Sequence, residues 1–165
     1  MTATGLKVFD KTLQITNTWL DEIMSDLGLD RHFAWHALGA VLWPVRDRLP
    51  ADLAAHLGAQ LPLLVRGLYY EQWHPAGKPE RLRTLDEFLQ RVSGELRGTR
   101  PADVREVTLA VFRTLSRHAD PGQVAKVVDA LPEEVRVFWL SALGVAASGA
   151  AALAAQEGQQ NGNEA

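Results

Sequence analysis

The chain contains no cysteine. That excludes a disulfide framework, a thiol nucleophile and a thiolate-ligated zinc. It has little net charge, −3 over 165 residues, too little to suggest attraction to nucleic acid. Alternation of apolar and polar residues is almost absent, so strands are not expected. Residues 1–10 lack the apolar run of a signal peptide, and a cytoplasmic location is expected. Val137–Gln156 carries no charge and approaches the length of a membrane span. Ala, Gly and Ser dominate it after Leu143 and no Lys or Arg follows, so no span is expected. Catalytic signatures are missing too: no phosphate-cradling glycine loop, no dinucleotide fingerprint, no Gly-x-Ser-x-Gly elbow. The sequence therefore predicts no enzyme activity and no cofactor.

What is present is helical periodicity. Trp19, Leu20, Ile23 and Leu27 share one helix face; Ala34, Leu38, Val41, Val45 and Leu49 share another; Leu53, Leu57, Leu61, Leu64 and Leu68 make a third. The plan recurs as Leu85–Leu96, Val104–Leu115 and Val124–Phe138. Ala40–Tyr70 aligns without a gap on Ala110–Leu140, with seven identities: Ala40, Val41, Ala55, Leu61, Pro62, Val65 and Arg66 match Ala110, Val111, Ala125, Leu131, Pro132, Val135 and Arg136. Chance gives roughly two, so a tandem repeat is expected. Trp19, Leu20, Ile23 and Leu27 fall on Phe88, Leu89, Val92 and Leu96 with one residue of slippage.

The expected fold is all-α: two similar units of about four helices each, packed into one bundle-like domain. The boundaries read as a tail over 1–11, unit one over 12–71, a loop over 72–82, unit two over 83–143, and an Ala/Gly-rich, partly disordered tail over 144–165. Asp30, Thr84 with Glu87, and Asp120 before Pro121 are helix-start signals, and Gly28 and Gly98 are stop signals. Pro62 and Pro132 each split the third stripe into two short helices, because a mid-helix proline costs about 3 kcal/mol. Pro44 is expected to kink the second helix.

Val45–Pro50, Ala54–Trp73 and the following His74-Pro-Ala-Gly-Lys-Pro79 resemble the bacterial family catalogued as domain of unknown function 2267. The resemblance extends over roughly residues 13–140. It implies an all-helical, bacterial, cytoplasmic protein. It supplies no activity, ligand or catalytic residue.

Candidate sites come from the residues themselves. Tyr69, Tyr70, Trp73 and His74 cluster at a helix end and the adjoining loop, with Arg66 nearby. Aromatics with polar tips favour interfaces; the alternative is that Tyr69 and Trp73 pack on the neighbouring unit. Arg66 and Arg136 occupy the same repeat position. They either face an anion or pin the bent helix pair through carboxylates or helix-end carbonyls. His32 and His36 have metal-ligand spacing on one helix face. A third ligand, from Asp30, His56 or His74, depends on the fold; otherwise they are two surface imidazoles. Arg46-Asp-Arg48 and Arg81-Leu-Arg83 are short basic clusters that either touch phosphates or are solvated helix ends. The expected function is a non-catalytic module that binds a protein partner or a second copy of itself. The alternative is a small anionic ligand in the groove between units. Neither nucleic acid nor membrane is expected as partner.

Overall fold

The computed structural model describes residues 3–144. Among them are eight α-helices and no strand: α1 Lys7–Leu27, α2 Arg31–Arg48, α3 Ala51–Ala59, α4 Leu63–Tyr70, α5 Leu85–Glu95, α6 Val104–His118, α7 Pro121–Ala130 and α8 Glu133–Ala142. The expected disordered tail, with the uncharged stretch beyond Gly144, lies outside the described residues. No helix among the described residues is long and apolar enough to cross a membrane.

Local chemistry sets the helix ends. Asp30 accepts from the Phe33 amide at 2.8 Å and Asp120 from the Gln123 amide at 3.0 Å. Both satisfy amides that a helix start leaves without partners. Thr84 accepts from the Glu87 amide, while the Glu87 carboxylate accepts from the Arg83 amide. The reciprocal bond therefore lands one residue before the cap. Gly28 ends α1 in the left-handed region, φ 66°, which a side chain disfavours. Helices α3 and α4 meet at Leu61–Pro62, and α7 and α8 at Leu131–Pro132, as the prolines predict.

One expectation is corrected. Residues 7–11 are not tail. They are the first turns of α1, where the Thr4 amide and hydroxyl both donate to the Asp10 carboxylate. Separately, Pro44 lies inside α2, which continues past it to Arg48 with the proline ring buried. The amide that proline lacks is compensated by α2 being packed on nearly every side.

Helices α2 and α6 touch at the centre. Helix α1 lies on α6 and α2, and α5 lies on α2 and α6; α4 rests on α2 and α1, and α8 on α6 and α5; α3 meets α7. The core is continuous across these contacts: Trp19, Ile23, Leu38, Leu42, Phe88, Phe112 and Trp139 are all essentially inaccessible. Phe112 stacks on Trp139 with centroids 4.0 Å apart. His118 stacks on Trp19 and bonds Glu22, tying α6 to α1.

One size exchange is testable. A Cβ at Gly58 would collide with the Tyr70 ring, 2.6 Å from Cζ. At the aligned positions stand Val128 and Leu140. Gly58→Val should cost about 1–3 kcal/mol by overpacking. Adding Tyr70→Leu should recover most of it. Urea unfolding of the two singles and the double checks this, and additive costs would refute the pairing.

Candidate functional site

The linker after α4 folds back onto α2 and α5. The chain reverses at Gln72, φ 54°, and passes a cis Lys78–Pro79 bond. The Glu80 amide then donates to the Asp47 carbonyl at 2.7 Å, and Arg48 Nε donates to the Leu82 carbonyl at 2.9 Å. The last carbonyls of a helix have no partner inside it, so the Glu80 bond closes the end of α2, and both bonds anchor the linker. Arg46 does the same for α4: its Nη1 donates to the carbonyls of Tyr69 at 2.6 Å and Glu71 at 2.7 Å.

Arg46 and Asp47 are buried, each about 3% exposed. Arg46 Nε donates to Asp47 Oδ1 at 2.9 Å, and Arg91 Nη2 from α5 donates to Asp47 Oδ2 at 2.9 Å. Arg91 Nη1 continues to Glu80 at 2.7 Å, and Lys78 Nζ joins Glu80 at 2.9 Å and Asp47 at 3.9 Å. Burial would lower the Arg91 guanidinium's proton affinity, but Glu80 and Asp47 outweigh it and hold its pKa above the ordinary value. Cations and carboxylates thus alternate along one chain of contacts. They line an open recess of about 400 Å³, bounded also by Trp43, Glu71, Gln72, His74 and Glu95.

The predicted site residues are placed differently. Tyr69 is fully buried and donates its hydroxyl to the Ala54 carbonyl at 2.6 Å. Burial, with Tyr70 adding, pushes its phenol far above the ordinary tyrosine range. It is a core residue, which corrects its assignment to a surface: an aromatic ring on the inner face of a short helix is drawn into the core. Tyr70 and Trp73 are half-buried and pack on each other, ring centroids 5.4 Å apart. His74 is exposed at the rim of the recess. Arg66 donates to the carbonyls of Gly58, Ala59 and Leu61, at 3.0, 3.2 and 3.0 Å. Arg136 reaches the carbonyls of Asp129 and Leu131 at 3.5 Å. Both arginines therefore pin the helix pairs, through carbonyls and not carboxylates, and neither lines the recess.

His32 and His36 face each other in the open, with Nε2 atoms 3.3 Å apart. Asp30 is engaged in capping α2 and lies 3.7 Å from Arg100. Among the described residues no group of three His, Asp or Glu side chains is arranged to hold a metal ion. His56 and His74 do not join the pair in the cavity beside it.

The residues missed are Arg46 and Asp47, whose cluster the sequence leaves between a phosphate contact and a solvated helix end. A signal was available. From Ala34 to Val45 helix α2 carries no charged residue apart from what His36 contributes on protonation, and it is apolar nearly all round. Such a helix is buried, and charges in its last turn are then drawn in with it.

No curated protein matches the chain. A family model matches residues 16–138, which include every helix from the body of α1 into α8, together with Arg46, Asp47, Lys78, Glu80 and Arg91. The chain belongs to the family described as uncharacterized conserved protein (DUF2267).

Proposed function

We propose that the chain is a non-catalytic, internally duplicated binding module that takes up a small molecule bearing an anionic group in the recess between α2, α5 and the linker. The duplication is supported by helix bounds that recur seventy residues apart: α2 and α6 end at Arg48 and His118, α3 and α7 begin at Ala51 and Pro121, α4 and α8 begin at Leu63 and Glu133. The helix contacts also map onto themselves when the halves are exchanged, α1 on α6 answering α5 on α2, and α4 on α1 answering α8 on α5. A cytoplasmic location is part of the same reading, supported by the absence of cysteine.

The observation that carries the ligand reading is the convergence of Arg46, Lys78 and Arg91 on one recess. Burying ions is costly and a fold does not need it. At the positions aligned with Arg46 and Asp47 the second half has Ser116 and Arg117. There Ser116 merely accepts from Trp139 Nε1 at 2.8 Å. The same helix arrangement is therefore built without the ionic cluster. Guanidinium and ammonium groups suit a carboxylate or phosphate; Asp47, Glu71, Glu80 and Glu95 line the recess too, so the ligand's anionic group would take the place of Glu80 or Glu95 on Lys78 and Arg91, and Trp43 supplies an apolar wall.

This reading takes the anionic-ligand alternative of the sequence and changes its residues. Of the competing interaction surface of Tyr69, Tyr70, Trp73 and His74 with Arg66, Tyr69 and Arg66 donate to backbone carbonyls and His74 stays exposed at the rim of the recess. Thermal unfolding in inorganic phosphate, citrate or succinate, against chloride at equal ionic strength, tests the proposal. A ligand at 100-fold its dissociation constant adds about 2.7 kcal/mol to the folded state. One of these anions should raise the melting temperature of the wild type, and Lys78→Met with His74→Ala should abolish the rise while leaving the fold intact. Equal melting temperatures in all the salts would overturn it.

A further inference from the structure

Helix α2 presents His32 and His36 one turn apart, both exposed, with ring centroids 4.7 Å and Nε2 atoms 3.3 Å apart. That separation is longer than the usual reach of a hydrogen bond donated by nitrogen, about 2.7–3.2 Å. It matches the edge of a tetrahedron instead. Two imidazole nitrogens, each about 2.0–2.1 Å from one zinc ion, stand roughly 3.3–3.4 Å apart. Residues four apart share a helix face, the same spacing that lets two histidines of a metalloprotease helix hold zinc. The pair is also held in place without an ion. Phe33 and Ala37, which follow the two histidines in the chain, are buried. Asp30 caps the helix through the Phe33 amide, and Arg31 ties its first turn to Asn17 and Asp21 of α1 at 2.7 and 2.6 Å. The aligned positions of the second half are Ala102 and Glu106, so the repeat folds without imidazoles there.

We propose that His32 and His36 chelate a divalent transition-metal ion of the zinc, nickel or copper kind, with water or a small anion completing its coordination. Both rings line a second recess, of about 460 Å³, together with Glu95 and with Arg97, Thr99 and Arg100 of the α5–α6 connection. The recess gives the ion an entry path and room for its further ligands. Asp30 and Glu95 balance Arg97 and Arg100 along its wall, so the surrounding charges do not oppose a dication. Asp30 also offsets the positive end of α2, and the two arginines suit an anionic co-ligand. Imidazole nitrogen favours zinc, nickel and copper, whereas magnesium and calcium take oxygen ligands. The pair therefore discriminates between the two classes of ion. Structural zinc sites use four protein ligands; with two, the ion is exchangeable and the fold does not depend on it. This site does not rest on anion uptake beside Asp47, since the two recesses share Glu95 alone.

Calorimetric titration of the full, tag-free chain with zinc chloride tests this, with magnesium chloride beside it. The wild type should bind zinc and not magnesium. His32→Gln and His36→Gln should each weaken zinc binding at least about tenfold, the smallest cost of altering even an outer partner of a bound metal. Both variants should melt like the wild type without metal, because both rings are exposed. His56→Gln, exposed on α3, should bind zinc as tightly as the wild type. A wild type that binds no zinc up to about 1 mM would overturn the proposal, as would unchanged affinity in His32→Gln and His36→Gln, or magnesium binding as tight as zinc.

Discussion

Asp47→Ala should lower the unfolding free energy by roughly 3–5 kcal/mol, read as the midpoint of urea unfolding. Small domains hold about 5–15 kcal/mol in total, so the loss is a large share. The cause is what stays behind. Arg46 remains tethered to the Tyr69 and Glu71 carbonyls, its side chain only 4% exposed, with its carboxylate gone. An ion buried without its partner keeps the desolvation cost and loses the attraction that offset it. Arg91 loses a bond as well, but it is 31% exposed and water replaces part of it. Arg46→Met with Asp47→Leu should recover much of the loss, because removing both charges removes the penalty. A cost for Asp47→Ala below about 1 kcal/mol, typical of an exposed pair, would mean that the cluster is solvated.

Residues 1–78 expressed alone should fail to fold cooperatively. Helix α1 lies on α6, α2 lies on α5 and α6, and α3 lies on α7. Cutting the chain would strip α5 and α6 from α2, whose Leu38, Val41, Leu42 and Val45 are all inaccessible in the whole protein. Each such side chain contributes on the order of 1.5–3 kcal/mol when buried. A piece this short starts from a marginal core. Broad amide resonances and a featureless thermal scan are the expected result, with the full chain as control. A sharp, reversible transition in the fragment would show that the first half stands alone.

The helix breaks were legible because they are local. Pro62 and Pro132 remove an amide, Asp30 and Asp120 supply an acceptor, and Gly28 relieves a backbone strain; none of these needs a distant partner. The start of α1 was misread, although Leu6, Phe9 and Leu13 already carry helical spacing, because no side chain caps Leu6. The burial of Tyr69 and of the Arg46–Asp47 pair is not legible for a different reason. A tyrosine or an arginine at a helix end has two destinations, and periodicity alone does not choose between them.

By itself the sequence determined the all-helical class, the helix breaks at Pro62 and Pro132, the caps at Asp30, Thr84 and Asp120, and the family. Those follow from backbone chemistry within a few residues and from apolar spacing along one face. Only the tertiary structure decided which charges are enclosed and which arginines are occupied with carbonyls. Those outcomes depend on groups far apart in the chain, Asp47 with Arg91 and Ala142 with Arg113, and the dielectric and water access around each group exist only after the helices have packed.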